Sequence, residues 1–117
     1  MEIGETLLVE TRAQWRAWLE QHASTKREIW LITYKKRAAR RSLDYDSVLN
    51  EAICFGWVDG IIKGVDDQHF VARWSPRRRR SHWTAGNLAR ARQMVDEGTM
   101  TAAGLAAVPE GAIDTSA

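Results

Sequence analysis

The chain has 117 residues, one domain's worth, and its mix of 44% hydrophobic and 27% charged residues is globular rather than disordered. Its single cysteine, Cys54, excludes an intrachain disulfide framework and a multi-cysteine metal cluster. The net charge of +2 hides a segregation: residues 26–41 sum to +6 and residues 73–92 to +7, which leaves −11 for the rest.

Thr6 to Val9 reads as a short first strand. Thr11 then has the form of an N-cap, with Gln14 three residues on completing a capping box. Trp15, Trp18, Leu19 and His22 fall at i, i+3, i+4 and i+7, which predicts one face of a helix running to about Ala23. Ile29 to Tyr34 is β-branched and aromatic on both faces, the pattern of an interior strand covered on both sides. A basic loop, Lys35 to Arg41, follows it. Asp44 is a second N-cap, with Leu43 and Val48 placed as a hydrophobic staple. Tyr45, Val48, Leu49, Ala52 and Ile53 form the apolar stripe of the helix it opens, and Gly56 is the expected stop.

Val58 to Val65 and His69 to Trp74 flank Asp66-Asp67 and predict a β-hairpin, ended by Pro76, which has no N–H for a ladder. A third helix is expected from Ser81 or Thr84, with Leu88, Ala91 and Val95 on one face and a stop at Gly98. The order β-α-β-α-β-β-α, with hairpin-compatible links and no long crossover, predicts an α+β fold. We expect a small, largely antiparallel sheet of three or four strands packed with about three helices. Residues 1–109 form the domain, the stretch after 101 reads as low-complexity, and 110–117 read as a flexible tail.

No run of about 18 apolar residues occurs, so no membrane span is expected. Glu2, Glu5 and Glu10 stand where a secretory leader would carry Lys or Arg, and the expected location is cytoplasmic. Cys54, between Ile53 and Phe55, reads as a small buried hydrophobe rather than a nucleophile. His22, His69 and His82 lack metal-binding spacing, so neither a metal nor another cofactor is expected. Asp59, in Gly56-Trp57-Val58-Asp59-Gly60, needs hydration, a cap or a cationic partner. As a general base it would want a second matched group, which the sequence does not identify, so an enzyme is the least favoured reading.

The segment Ser75 to Thr84 carries the strongest functional signal. Arg77 to Arg80 run toward a helix start, where free N–H groups and the helix dipole attract anions. Ser81 and Thr84 add hydroxyls, and Trp74 and Trp83 bracket the cluster as stacking surfaces. The competing reading pairs these arginines with solvent and with internal carboxylates such as Asp59, Asp66 and Asp67.

Several blocks together resemble a known family. Trp30-Leu31, Lys35-Lys36, Tyr45 and Glu51-Ala52 precede Cys54-Phe55-Gly56-Trp57-Val58-Asp59-Gly60. Arg73-Trp74-Ser75-Pro76-Arg77-Arg78, Ser81, Trp83 and Asn87 follow, then Gly98, Met100 and Ala103-Gly104-Leu105. In order and spacing, over residues 5–107, this resembles the bacterial YdeI/OmpD-associated family, also labelled bacteriocin-protection proteins. The resemblance implies a short member without the helical C-terminal part that many members carry. It supplies no catalytic residue, and implies stress or bacteriocin tolerance as phenotype. Of the arginine run, Arg77 and Arg78 match the pattern and Arg79 and Arg80 do not.

The reading that follows is a non-enzymatic binding module. Arg77, Arg78, Ser81, Trp83 and Asn87 would take an anionic ligand, phosphate-bearing or single-stranded nucleic acid, with Asp59 converging on the same polar site. The alternative is an interaction module whose basic face docks an acidic protein partner.

Overall fold

In a computed structural model, residues 2–78 and 81–113 are described. Arg79 and Arg80 of the arginine run, and the end of the tail from 114 on, lie outside the described residues. The chain is α+β: a mixed four-stranded sheet carries four helices. The strands are β1 (Thr6–Leu7), β2 (Ile29–Tyr34), β3 (Trp57–Gly64) and β4 (His69–Pro76). The helices are α1 (Arg12–His22), α2 (Tyr45–Cys54), α3 (Ala85–Glu97) and α4 (Ala102–Ala107).

The sheet order is β1-β2-β4-β3, and only β1–β2 is parallel. That pair is a departure from the expected absence of crossovers. Helix α1 carries the chain across the sheet, so β2 returns in the direction of β1. The expected hairpin is β3–β4. Between Asp59 and Ile62 its register shifts: three steps along β3 match two along β4, a bulge beside Gly60. Pro76 is the last residue of β4 and pairs with Trp57.

Each helix start is written locally. The Thr11 hydroxyl accepts the Gln14 N–H at 3.2 Å while the Gln14 side chain accepts the N–H of Thr11, the expected capping box. Asp44 accepts from the Ser47 N–H at 3.0 Å, and Thr84 from that of Asn87 at 3.1 Å. Gly56 and Gly98, both at φ +76°, end α2 and α3 in the left-handed region that a side chain disfavours.

The helices lie over one sheet face. Ile29 and Leu31 of β2, Trp57 of β3 and Trp74 of β4 join Trp15, Leu19, Val48, Leu49 and Ile53 in one core. Fully burying such side chains stabilises by about 1.5–3 kcal/mol each for the aliphatic ones. Trp15 stacks on Trp18 at 5.6 Å, and Trp18 meets Trp57 edge-on at 5.6 Å. Two of these indole N–H groups are bonded to backbone, Trp15 donating to Val48 O and Trp57 to Ala23 O. Trp30 faces the other side, by strand alternation. Its indole N–H bonds Glu28, whose carboxylate takes Arg73 at 2.7 Å. Those two hydrogen bonds hold the Glu28 carboxyl below its usual range. Only the first half of β2 is covered on both faces; Ile32 to Tyr34 are half-buried.

Two features were not visible as stripes. Tyr45, expected on the buried face of α2, is 56% exposed at the first position of the helix, its hydroxyl turned to Asp59. Glu51, conversely, is only 4% exposed. Arg12 holds one of its carboxylate oxygens at 2.7 Å and Arg16 the other at 2.8 Å, so α1 and α2 are joined by a charge-assisted fork.

The stretch after 101 is a helix. Thr101 caps α4 at the Gly104 N–H, and its own N–H and hydroxyl both donate to Cys54 O, at 3.0 and 2.5 Å. Gly104 lets the backbones meet: a Cβ there would overlap the Cys54 carbonyl oxygen and stand 2.7 Å from its carbon. Ile113 is packed against the core, inside the segment read as tail.

Two measurements test this account. Glu51→Gln, which keeps shape and removes charge, is expected to lower unfolding stability by about 1–3 kcal/mol in urea titration. Gly104→Ala is expected to lower it by about 1–3 kcal/mol, although alanine is intrinsically the better helix former by about 1 kcal/mol. A stabilised Gly104→Ala protein would mean that α4 does not seat against Cys54.

Candidate functional site

Arg77 leaves β4 with its backbone N–H donating to Gly56 O at 2.8 Å, so the α2–β3 junction fixes where its side chain starts. The guanidinium carbon lies 3.8 Å from the centroid of the Trp83 ring, a cation–π contact. Trp83 is itself anchored, 9% exposed, with its indole N–H on Ala107 O of α4 at 3.1 Å. Nη1 of Arg77 donates to Ser81 Oγ and to His82 O, both at 3.3 Å. Its Nε and Nη2 are buried, and among the described residues neither has a hydrogen-bond partner. These two nitrogens form the side-on edge of the guanidinium, the edge that matches a carboxylate or phosphate bidentately.

Burial lowers the Arg77 pKa from its usual value, and the nearby Asp59 charge opposes that shift. An arginine remains protonated regardless. A desolvated cation with three of its five N–H donors unused is costly to hold, and a structural arginine is normally fully bonded.

Arg77, the exposed Arg78, Ser81 and Trp83 line one cleft of about 600 Å³. Its opposite wall is Phe55, Gly56 and the alanines of α4. Asn87 and Asp59 are not among its lining residues. Asn87 spends its N–H on the Thr84 cap. Asp59 accepts from the Tyr45 hydroxyl at 2.9 Å and borders a second, smaller cavity. The residues expected to form one polar site are therefore dispersed: Arg77 and Ser81 line the cleft, Asp59 the second cavity, and Asn87 neither. The arginines do not run straight into a helix either. Helix α3 begins only after the Thr84 cap, so the cleft is built on a stacked guanidinium rather than on helix N–H groups.

Residues 7–107 match a family model described as a domain of unknown function (DUF8412). The chain belongs to that family. No curated protein and no solved structure matches it. The DUF8412 match takes in every wall of the cleft up to Ala107.

Other expected positions resolve as follows. Trp74, considered for stacking, is 2% exposed and belongs to the core. Cys54 is buried; burial pushes its thiol pKa up, which disfavours the nucleophilic thiolate. Asp66 accepts the N–H groups of Gln68 and His69 and closes the hairpin turn. Among the described residues no three His, Cys, Asp or Glu side chains group to hold a metal, and no helix is long and apolar enough to cross a membrane. The wall supplied by α4 is what sequence reading missed. Its signal was Thr101 standing before an alanine run, an N-cap before a helix former.

The unbonded edge of Arg77 has a measurable consequence for the free protein. Arg77→Met keeps an unbranched chain on Trp83 and removes the desolvated charge, so stability in urea is expected to stay level or rise by up to about 2 kcal/mol. A loss above about 1 kcal/mol would mean that the guanidinium is fully bonded inside the fold.

Proposed function

We propose that this protein is a non-enzymatic, stress-related binding module for an anionic ligand, phosphate-bearing or single-stranded nucleic acid, held at Arg77. The observation that carries the reading is the buried, unpartnered Nε–Nη2 edge of the Arg77 guanidinium, which stacks on Trp83 in the wall of an open cleft. A phosphate or carboxylate oxygen pair supplies two acceptors at once, replacing an uncompensated desolvation with two charge-assisted hydrogen bonds. Reaching them takes a side-chain rotation of Arg77, a common adjustment at binding surfaces. Arg78 adds charge at the rim, and Phe55 with the α4 alanines offers apolar surface to the remainder of a ligand.

The resemblance to the YdeI/OmpD-associated family belongs to the same proposal. It rests on the Cys54–Gly60 and Arg73–Arg78 blocks, which are the segments that meet at the cleft. No paired acid and base faces the cleft among the described residues, which supports binding over catalysis.

The test is a titration with a mixed single-stranded oligonucleotide, followed by tryptophan fluorescence at low and moderate salt. Trp83, under the guanidinium, is the expected reporter. Saturable binding that weakens with salt, and falls at least about tenfold in Arg77→Ala/Arg78→Ala, is the expected result. No binding at low salt would overturn the nucleic-acid reading and leave an acidic protein surface as the partner to test.

A further inference from the structure

The second cavity has a different chemistry from the cleft. It measures about 100 Å³ and lies between the first turn of α2 and the sheet. Leu31, Val48, Phe70 and Trp74 make its walls. Its solvent side is marked by Ile62 and Tyr45, 64% and 56% exposed, with the Asp59 carboxylate between apolar surfaces.

The β3 bulge puts these groups together. Asp59 pairs across the ladder with Trp74 and Ile62 with Ala72, so both flank one stretch of β4 although they stand three positions apart on β3. The Tyr45 and Trp74 rings stand 6.3 Å apart, tilted at 43°. The Tyr45 hydroxyl donates to Asp59 Oδ2, and no donor among the described residues reaches Oδ1. Arg90, whose charge is felt at Tyr45, is committed to Asn50 and Asp46. The Asp59 charge acts on Arg77 without a hydrogen bond between them. Partial burial and the bond to Asp59 push the Tyr45 pKa up to about 12, so its hydroxyl keeps its proton and its role as donor.

We propose that this cavity binds a small aliphatic amine, its ammonium on Asp59 Oδ1 and against the Tyr45 and Trp74 rings, its alkyl chain between Leu31, Val48 and Phe70. A carboxylate in a cavity lined by two aromatic rings favours a cation over a neutral group or an anion. Predominantly apolar walls favour an alkyl chain over water. A cavity of about 150 Å³ holds the six carbons of benzene, so about 100 Å³ corresponds to roughly four carbons. The proposal does not depend on the anion reading, since the two sites share no lining residue.

Calorimetric titration of the whole chain with n-butylammonium tests it, beside n-butanol as a neutral ligand of similar shape. A millimolar, one-to-one isotherm is expected for so small a ligand. n-Butanol is expected to bind at least about tenfold more weakly, and each methylene removed from the amine to cost about three- to fourfold. Asp59→Asn is expected to erase the preference for the amine while leaving butanol unchanged. Equal binding of amine and alcohol to the unaltered protein would overturn the proposal, whatever the variant does. So would unchanged amine binding in Asp59→Asn, or no saturable heat with either ligand.

Discussion

The close approach of α4 to the end of α2 is the constraint on which the functional surface depends. Cys54 O takes two donors from Thr101, and Gly104 is the residue small enough to sit against it. Two residues later Gly56 turns the chain into β3 and accepts the N–H of Arg77. One short junction thus aims the helix that forms the far wall of the cleft and the strand end that carries its cation. Trp83 completes the circuit by bonding Ala107 at the other end of α4. The cleft is consequently a property of the packing of these segments, and nothing in the arginine run alone would produce it.

The charge segregation along the chain resolves by the same logic. Among the described residues, three cations of the two basic segments pair with carboxylates, Lys26 on Glu5, Arg73 on Glu28 and Arg90 on Asp46, while Arg12 and Arg16, outside those segments, share Glu51. The exposed pairs among these contribute little to stability. The Glu51 fork differs, because its carboxylate is inside the protein and bonded through both oxygens. Arg77 stands apart from all of them, with an aromatic partner below it and, among the described residues, no carboxylate in hydrogen-bond reach.

Local rules made much of the fold legible. Caps at Thr11 and Asp44, the stops at Gly56 and Gly98 and the hairpin around Asp66 depend on residues a few positions apart, and they stand where the sequence put them. What sequence did not disclose depends on distant partners. Burial of Glu51 needs two arginines from another helix, and α4 needs a backbone carbonyl 47 residues away to make its alanines a wall. The site was half legible for the same reason. Arg77, Arg78, Ser81 and Trp83 are close in sequence and share the cleft, whereas Asp59 is turned toward Tyr45 by a strand register that no motif records.

The bulge in β3 has an effect on the behaviour of the protein in a crowded solution. β3 is an edge strand, and Ile61 and Ile62 are exposed on it, the combination that recruits a second strand and starts aggregation. A regular ladder would offer evenly spaced donors and acceptors along the whole edge. Inserting one residue breaks that spacing between Asp59 and Ile62, so an incoming strand meets a mismatched template next to the apolar pair. The irregularity that gathers Asp59 and Ile62 around one cavity also acts as a guard against fibrillar stacking.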